Sequence, residues 1–345
     1  MNPPNHILVI RLSAMGDLAM TVPVLRVVAL TYPEVRMTVV SRAFFKPLFN
    51  NIPNVQFLEA DVYGSHKGIN GLLRLAKECK ATGIDAVADL HNVIRSKVIA
   101  KKLKWHGMTV ATIDKGRKEK KALITTGGKP IIQLKSTHQR YADVFAKLGL
   151  PISLINHQFP KPRTLTPRLL NIVGTHTKKI IGIAPFAAYD SKTYPISLLK
   201  QVIAKMDATH QYELFLFGGG KKEIEILSAI EKEFESVTNI AGQLTFDEEL
   251  ALLSNIDLMV AMDSGNGHLA ANFGIPVLTL WGVTHPFAGF TPFGQPDGNQ
   301  LTADRTKFPL IPTSIYGNKF PEGYDKSMET ISSKEVVKKI LEILN

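Results

Sequence analysis

Cysteine is almost absent from this chain of 345 residues, which contains Cys79 and no other. A single cysteine excludes an internal disulfide and cannot supply the thiolates of a cysteine-based metal site. The chain also lacks any run of about 18 apolar residues, the length that a membrane-spanning helix requires. We therefore expect a protein that folds without disulfides and has no membrane span.

The beginning of the sequence lacks the features of an export signal. The residues MNPPNHILVIRL lead directly into a strand-like run, with no basic leader, long apolar segment or small-residue cleavage site. Those three features together mark a secretory signal peptide. We therefore expect a cytoplasmic protein.

Acidic residues are scarce in the first half of the chain. Residues 1–165 contain 25 Lys and Arg against 10 Asp and Glu, residues 166–345 contain 16 against 20, and the net charge is +11. A basic half predicts contact with a phosphorylated acceptor or with the anionic inner face of the cytoplasmic membrane. Nucleic acid is not expected, because the basic residues are not interleaved with aromatics and no nucleic-acid motif is present. An ordinary solvated surface is the alternative.

The order of strand-like and helix-like segments predicts two α/β domains. Short apolar runs, such as residues 7–10 and 258–261, alternate with helical patterns through most of the chain, and its length suffices for two cores. The proline-rich residues 151–167 predict a linker. We therefore place a first domain at residues 1–165, a second at residues 166–330 and a final helix at residues 331–345.

Residues 256–293 carry the most recognisable chemistry. A strand-like run is followed by the polar turn DSGNGH and by a short helix-like run that stops at Gly274. In open α/β folds such a turn lies at the carboxyl edge of the sheet, where helix N–H groups favour an anion. Gly265 and Gly267 allow close approach of a ligand, Ser264 can cap the helix, and His268 can donate to a phosphate.

Asp263 begins the same turn. A phosphate would repel this anion unless a metal intervened, so a hydroxyl-bearing ligand such as a sugar suits it better. A second strand-like run, residues 275–282, ends in Thr284 and His285 at the same predicted edge. A phosphate site beside a polyol site predicts a sugar nucleotide, and an ordinary turn with a capping serine is the alternative.

A similar strand, glycine turn and helix open the chain. The run ILVI is followed by RLSAMGD and by a helix-like segment from Leu18 to Leu30 that Pro23 interrupts early. Gly16 permits close backbone approach, and Asp17 lies at the start of the helix. Stabilisation of an acidic residue by the helix dipole is the simpler explanation of Asp17.

The pattern DSGxxHLAAxxGxPVLxLWGxTxPxxxxP resembles the signature of the bacterial heptosyltransferases of glycosyltransferase family 9, and RLSAMGDLAMTVPVLRVV resembles their amino-terminal motif. The resemblance implies a GT-B fold, in which two Rossmann-like domains face a central cleft and the final helix is expected to cross back to the first domain. It implies inverting transfer of a heptose from a nucleotide-diphosphate sugar, expected to be ADP-heptose, to a lipopolysaccharide-core-type acceptor. A related transferase that uses another nucleotide sugar and a non-catalytic sugar-nucleotide-binding protein are the alternatives.

The resemblance assigns the candidate residues to three groups. Asp17 is the expected general base, and Lys192, just before Tyr194-Pro195, is expected to stabilise the departing diphosphate, with an isolated surface lysine as the alternative. The expected donor-binding residues are Asp263, Ser264, Gly265, Gly267, His268 and Leu244. Gly218 and Lys221 are added because their loop follows a strand-like run, and a tight turn is the alternative for that loop. The expected acceptor-binding residues are Ser13, Met15, Gly16, Asp89, His91, Asn92 and Arg95. For Asp89 and His91 a structural role is the alternative.

No metal and no cofactor are expected. The donor motif has no pair of carboxylates of the DxD type, and lysine, histidine and helix dipoles can stabilise a diphosphate. The chain departs from the family pattern at Ala187 and Ala188, where hydroxyl residues are common, and at residues 308–313, which lack cysteine. The charge run DKGRKEKK, residues 114–121, predicts an exposed basic loop.

Overall fold

The computed structural model of the chain describes residues 3–125, 127, 130–174 and 178–345. They form two compact units. Unit 1 consists of Met1–Lys115 and Ser136–Gln158, and unit 2 of Gly116–Lys135 and Phe159–Asn345. The boundary after Gln158 lies within the proline-rich stretch, whereas residues 116–135 of the first half belong to unit 2.

The described ranges contain eleven strands and twelve α-helices, connected by turns and short 3₁₀ helices. The strands are β1 His6–Ile10, β2 Arg36–Ser41, β3 Val55–Glu59, β4 Ala86–Asp89, β5 Thr109–Thr112, β6 Lys179–Ala184, β7 Tyr212–Leu216, β8 Val237–Asn239, β9 Leu258–Met262, β10 Val277–Trp281 and β11 Gln300–Thr302. The helices are α1 Met15–Ala19, α2 Thr21–Thr31, α3 Gly68–Ala81, α4 Ile94–Trp105, α5 Arg117–Ile124, α6 Thr137–Lys147, α7 Pro167–Val173, α8 Ile196–Asp207, α9 Lys221–Glu231, α10 Phe246–Leu253, α11 Gly265–Ala271 and α12 Ser333–Leu344.

The unit 1 sheet is parallel, with the strand order β3-β2-β1-β4-β5. All five residues of β1 are buried, as expected for the central strand of a sheet with elements packed on its faces. Helices α3 and α4 share one core cluster, to which they contribute Leu75 and Ile99. Ile10 at the end of β1 pairs with Asp89 at the end of β4. The loops that follow these two strands therefore begin side by side.

The unit 2 sheet is also parallel, with the order β11-β10-β9-β6-β7-β8. Ala184 at the end of β6 pairs with Ala261, and Met262 at the end of β9 pairs with Leu280. The loops after β6, β9 and β10 therefore meet at one edge. Helix α12 packs on α8 within the unit 2 core, and its predicted crossing to the first domain stays a prediction.

The segment after β1 differs from the single helix predicted from Leu18 to Leu30. It forms two helices, α1 and α2, with Met20 between them. Pro23 lies in the first turn of α2, where no intrahelical partner is lost by its missing N–H. Asp17 is consequently in the middle of α1 rather than before a long helix.

The prediction of an exposed basic loop at residues 114–121 was right about the exposure of most of its charged side chains and wrong about their conformation and about Lys120. Residues 117–124 form α5, and Lys120 is buried with its ammonium 4.0 Å from the centroid of the Phe290 ring. The amide of Leu134 donates to the carbonyl of Phe287 at 2.9 Å. A cation–π contact from Lys120 and a backbone hydrogen bond from Leu134 therefore join this part of the chain to residues 287–290. No helix of the described ranges is long and apolar enough to cross a membrane.

Candidate functional site

Asp17 lies at the carboxyl edge of the unit 1 sheet and is held there by Arg11. Arg11 is buried, and its Nη2 forms an ion pair with Oδ2 of Asp17. The same guanidinium donates from Nη1 to the Leu90 carbonyl at 2.8 Å and from Nε to the Ser13 carbonyl at 2.7 Å. The Asp17 side chain keeps 32% of its surface exposed. The carboxylate is thus fixed in orientation and partly open to solvent, and its role as a general base stays a prediction.

The turn after β4 is organised by Asp89, which is fully buried. Its Oδ1 accepts from the amides of His91 at 3.0 Å and Asn92 at 2.8 Å, and its Oδ2 accepts from the Ser96 hydroxyl at 3.2 Å. Asn92 has a positive φ of 47° and donates to the Ile113 carbonyl at 2.9 Å. These contacts support the structural alternative for Asp89, and its contact with an acceptor stays a prediction.

His91 is buried beside Asp17 and three basic side chains. Burial lowers its pKa to about 3, with further lowering by the charges of Arg11, Lys115 and Arg95 and an opposing effect of Asp17. Its Nδ1 accepts from the Leu12 amide at 3.3 Å. A neutral imidazole with Nδ1 unprotonated fits both observations.

The pKa of His91 predicts a loss of stability in acid. Its folded-state pKa lies below the ordinary 6.5, so the unfolded chain takes up the proton first as the pH falls. The contribution of His91 is therefore complete above about pH 6.5 and is lost as the pH falls toward 3, at up to about 1.4 kcal/mol per pH unit. We expect a His91→Asn variant to show a flatter decline in urea midpoint between pH 6 and pH 4. Parallel curves for the two proteins would contradict this assignment.

The predicted acceptor-binding residues lie on two neighbouring loops of unit 1. One loop follows β1 and the other follows β4, where Asp89 is the last strand residue, and these two strands are paired. The first loop carries the half-buried Ser13, Met15 and Gly16, and the second ends at Arg95, exposed at the start of α4. The structure therefore brings the predicted set together at one sheet edge.

Lys192 is buried in unit 2, which excludes the alternative of an isolated surface lysine. It ends the 3₁₀ helix Asp190–Lys192 after β6. Its Nζ donates to the Asp263 carbonyl at 2.7 Å and forms an ion pair with Oδ2 of Asp263 at 3.2 Å. The two side chains are 9% and 11% exposed. A cation and an anion are thus held together where the loops after β6 and β9 meet.

Thr284 completes this pair, although the sequence identified it only as part of a polar turn. It is buried after β10, and its hydroxyl donates to Oδ2 of Asp263 at 2.9 Å. The same carboxylate oxygen thus receives a hydroxyl and an ammonium group. Three loops of the sheet edge contribute one residue each to this cluster, which we call the Lys192–Asp263–Thr284 cluster.

Removal of the Thr284 hydroxyl should destabilise unit 2. We expect Thr284→Val to lower the free energy of unfolding by about 1.5 to 3 kcal/mol, because a hydrogen bond to a buried charged group is lost while the side-chain shape is kept. Thr284→Ser retains the hydroxyl and should lose less than half of that amount. Urea unfolding of both variants tests the difference, and equal losses would assign the effect to packing.

The turn between β9 and α11 carries the remaining predicted phosphate contacts. Ser264 occupies the N-cap position of α11 but makes no side-chain capping hydrogen bond, which corrects the expected cap. Gly267 packs against the sheet, where an added Cβ would lie 3.3 Å from Val277 and 3.4 Å from Ala261. His268 is buried on the same helix. Close helix–strand packing accounts for Gly267, and its contact with a donor stays a prediction.

The predicted residues Gly218, Lys221 and Leu244 follow β7 and β8, farther along the same sheet. The loop containing Gly218 is closed by Glu223, whose Oε2 accepts from the Gly219 amide at 2.8 Å. Lys221 is exposed at the start of α9, and Leu244 is half-buried before the capping residue of α10. Their predicted contacts with a donor stay predictions.

Two Rossmann-like α/β units, with polar loops at the carboxyl edges of their sheets, define a protein of the GT-B fold class. A solved glycosyltransferase of family 9 from Veillonella parvula shares this fold, with a TM-score of 0.75 and 21% identity over 99% of this chain and 97% of that chain. The Escherichia coli heptosyltransferase WaaC, solved with ADP, gives a TM-score of 0.67 and 18% identity over 98% and 99%. The predicted fold class is confirmed.

The chain belongs to glycosyltransferase family 9 (heptosyltransferase), whose family model matches residues 72–309. Among its relatives is the lipopolysaccharide core heptosyltransferase OpsX of Haemophilus influenzae, which is 24% identical over 298 residues. That match covers 82% of this chain and 80% of the relative. The resemblance inferred from the DSGxxHLAA and RLSAMGD motifs is thereby confirmed.

Proposed function

We propose that the chain is a heptosyltransferase that moves a heptose from ADP-heptose to an acceptor of the lipopolysaccharide core, with inversion at the anomeric carbon. The membership in family 9 supports glycosyl transfer, and the name of the Haemophilus influenzae relative supports the core acceptor. ADP in the WaaC structure supports an ADP-linked donor. The observation that carries the proposal is the buried Lys192–Asp263 ion pair at the edge of the unit 2 sheet.

The donor is proposed to bind at that edge. The ammonium of Lys192 would neutralise charge on the diphosphate as the bond to the sugar breaks, and a buried cation does this more strongly than a solvated one. Asp263 would accept from sugar hydroxyls, because its carboxylate offers more acceptor sites than Lys192 and Thr284 occupy. The amides that begin α11, together with His268, would donate to phosphate oxygens.

The acceptor is proposed to bind beside the loops after β1 and β4. Asp17 would remove the proton from the acceptor hydroxyl while the oxygen of that hydroxyl attacks the anomeric carbon. The new carbon–oxygen bond forms on one face of the sugar, and the nucleoside diphosphate leaves from the other. One carboxylate suffices for this step, because the diphosphate leaves without needing protonation when its charge is stabilised.

Metal independence and a cytoplasmic location, with peripheral contact at the inner face of the cytoplasmic membrane, are further parts of the proposal. The described residues contain no group of three or more His, Cys, Asp or Glu side chains suited to a metal ion. Activity measured with and without EDTA tests the first point directly. Turnover that stops in EDTA and returns with a divalent cation would contradict it.

A panel of donors tests the proposed reaction. The wild-type protein is incubated with a heptose-deficient lipopolysaccharide acceptor and, in separate reactions, ADP-heptose, ADP-glucose, UDP-glucose and GDP-mannose. We expect product with ADP-heptose, and nuclear magnetic resonance of that product should show the inverted anomeric configuration. Preferred turnover of another donor identifies a related transferase. Donor binding by calorimetry without turnover of any donor identifies a binding protein, for which Ala187 and Ala188 are the favouring feature.

A further inference from the structure

Helices α3 and α4 carry a strongly basic surface that the proposed reaction does not use as a whole. The helices pack side by side over one face of the unit 1 sheet. Together they contain one acidic residue, Glu78, and eight basic ones: Arg74, Lys77, Lys80, Arg95, Lys97, Lys101, Lys102 and Lys104. Their outer surface is therefore suited to an anionic partner.

The outward side of α4 also exposes large apolar side chains. Ile94, Lys97, Lys101 and Trp105 follow one another at spacings of three, four and four residues, which places them on one side of the helix. Ile94 is 82% and Trp105 is 77% exposed. The opposite side of the helix is buried in the core. The outward stripe thus has an apolar residue at each end and lysines between.

Helix α3 extends the exposed apolar surface. Ile69 and Leu73 lie one helical turn apart and are both exposed, and Tyr63 precedes the helix with 68% of its surface exposed. The Arg95 guanidinium lies 5.5 Å from the centroid of the Tyr63 ring, which connects α4 to the segment that precedes α3. At the other end, Nζ of Lys102 lies 4.1 Å from the centroid of the Trp105 ring.

We define the α3–α4 face by the apolar residues Tyr63, Ile69, Leu73, Ile94 and Trp105 and by the eight basic residues of the two helices. We infer that unit 1 docks on an anionic lipid bilayer through this face. Lysine and arginine side chains would reach lipid phosphates while their alkyl stems lie along the surface. The tryptophan, tyrosine and aliphatic side chains would enter the boundary between headgroups and acyl chains.

The mixture of side chains favours a bilayer over a nucleic acid. The phosphate backbone of a nucleic acid would pair with the basic residues but would offer no apolar contact to an exposed isoleucine. The face also lacks aromatic side chains spaced for stacking successive bases. A bilayer accommodates both kinds of side chain, because anionic phosphates lie directly above the hydrocarbon.

Lipid docking by the α3–α4 face names the surface for the peripheral membrane contact proposed above and rests on that part of the proposed function, but it requires neither donor nor transfer. It would bring the enzyme to the surface in which a glycolipid acceptor is embedded. Failure of docking would leave the transferase assay unaffected if the acceptor is supplied in detergent. Failure of transfer would equally leave vesicle binding intact, so the two results are distinguishable.

Tryptophan fluorescence offers a direct test, because the chain contains two tryptophans in opposite environments. Trp105 is exposed on the α3–α4 face, whereas Trp281 is fully buried in unit 2. We expect vesicles of phosphatidylcholine and phosphatidylglycerol to shift the emission to shorter wavelength, and brominated acyl chains to quench it. Vesicles of phosphatidylcholine alone should do neither. The shift and the quenching should both disappear in Trp105→Phe.

Charge variants test the basic part of the same face by co-sedimentation. The triple variant Lys97→Gln, Lys101→Gln and Lys104→Gln should bind anionic vesicles about 100-fold less tightly, since each basic residue near an anionic surface contributes roughly fivefold. The control triple Lys205→Gln, Lys232→Gln and Lys334→Gln removes the same charge from exposed positions of unit 2. It should bind within about twofold of wild type, because those residues lie outside the face.

Three outcomes would overturn the inference. The first is equal loss of vesicle binding in the two triple variants, which would indicate a general effect of net charge. The second is vesicle binding by wild type with no change in Trp105 emission, which would place the contact elsewhere. The third is preferential binding of duplex RNA over anionic vesicles, abolished by the Lys97, Lys101 and Lys104 substitutions but not by Trp105→Phe, which would make the face a nucleic-acid surface.

Discussion

An Asp17→Asn variant should lose about 10²- to 10⁴-fold in kcat while binding the donor as tightly as wild type. Asparagine keeps the shape of the side chain but cannot accept the proton from the attacking hydroxyl. The donor is proposed to bind in unit 2, so the substitution in unit 1 should leave its Kd unchanged. Steady-state kinetics and calorimetry with ADP-heptose on the same preparation measure both quantities.

The Arg11–Asp17 ion pair requires a control, because its loss could also disturb unit 1. Glu34→Gln removes the same charge from an exposed loop of unit 1 and should retain activity within about twofold, as surface substitutions usually have small effects. Thermal unfolding identifies variants that are merely destabilised. An Asp17→Asn protein that is folded, binds donor and turns over at the wild-type rate would remove Asp17 from the mechanism.

Substitution of Lys192 by glutamine should reduce kcat/KM about 10²- to 10³-fold, the size of effect seen when one electrostatic group is removed from a transition-state site. The loss should appear in donor binding as well, because the carboxylate of Asp263 then faces the diphosphate without its cation. We also expect a loss of stability of about 3 to 5 kcal/mol, since one partner of a buried pair remains uncompensated.

A double variant separates these two effects. Lys192→Gln combined with Asp263→Asn removes both charges and should recover most of the lost stability. Activity should stay low, because the diphosphate still lacks a buried cation. Recovery of stability and activity together would assign Lys192 a structural role alone. As a control, Lys200→Gln breaks an exposed ion pair with Glu233 and should cost at most about 1 kcal/mol, with activity unchanged.

The fold was predictable where strands are buried and apolar. The residues of β1, β4, β6, β9 and β10 form short apolar runs before polar turns, and each of these strands is observed. The strands β5, β8 and β11 were not predicted. They have three or four residues each, and β5 and β11 have half-buried or exposed positions that leave no apolar run. Such strands are specified by pairing with a neighbour rather than by their own pattern.

Helix α5 and its buried Lys120 also could not be predicted from the local sequence. A run with five basic residues in DKGRKEKK is typical of a solvated loop, yet Lys120 is buried against Phe290. The partner lies 170 positions away in the sequence, so no local pattern indicates the contact. Charge runs are usually solvated, but tertiary packing buries Lys120 in this one.

The candidate site was predictable in its separate motifs and not in their connections. The position between a strand-like and a helix-like run indicated Asp17 and Asp263, whereas Lys192 was indicated only by the resemblance to the family motif. Arg11 was missed as the partner of Asp17, and Thr284 was missed as the partner of Asp263. The contact of Arg11 with Leu90 spans 79 positions, and the contact of Thr284 with Asp263 spans 21. Both depend on which strands are neighbours.

The sequence by itself determined that this chain alternates strands and helices, carries family 9 motifs and concentrates its basic charge in the first half. Periodicity, turn chemistry and charge are local properties, and they can be read without knowing the fold. Only the tertiary structure decided that Lys192 is buried against Asp263, that Arg11 orients Asp17, and that α3 and α4 present one basic and apolar face. Those facts follow from strand order and helix packing, which bring distant residues within a few ångströms and remove water from between them.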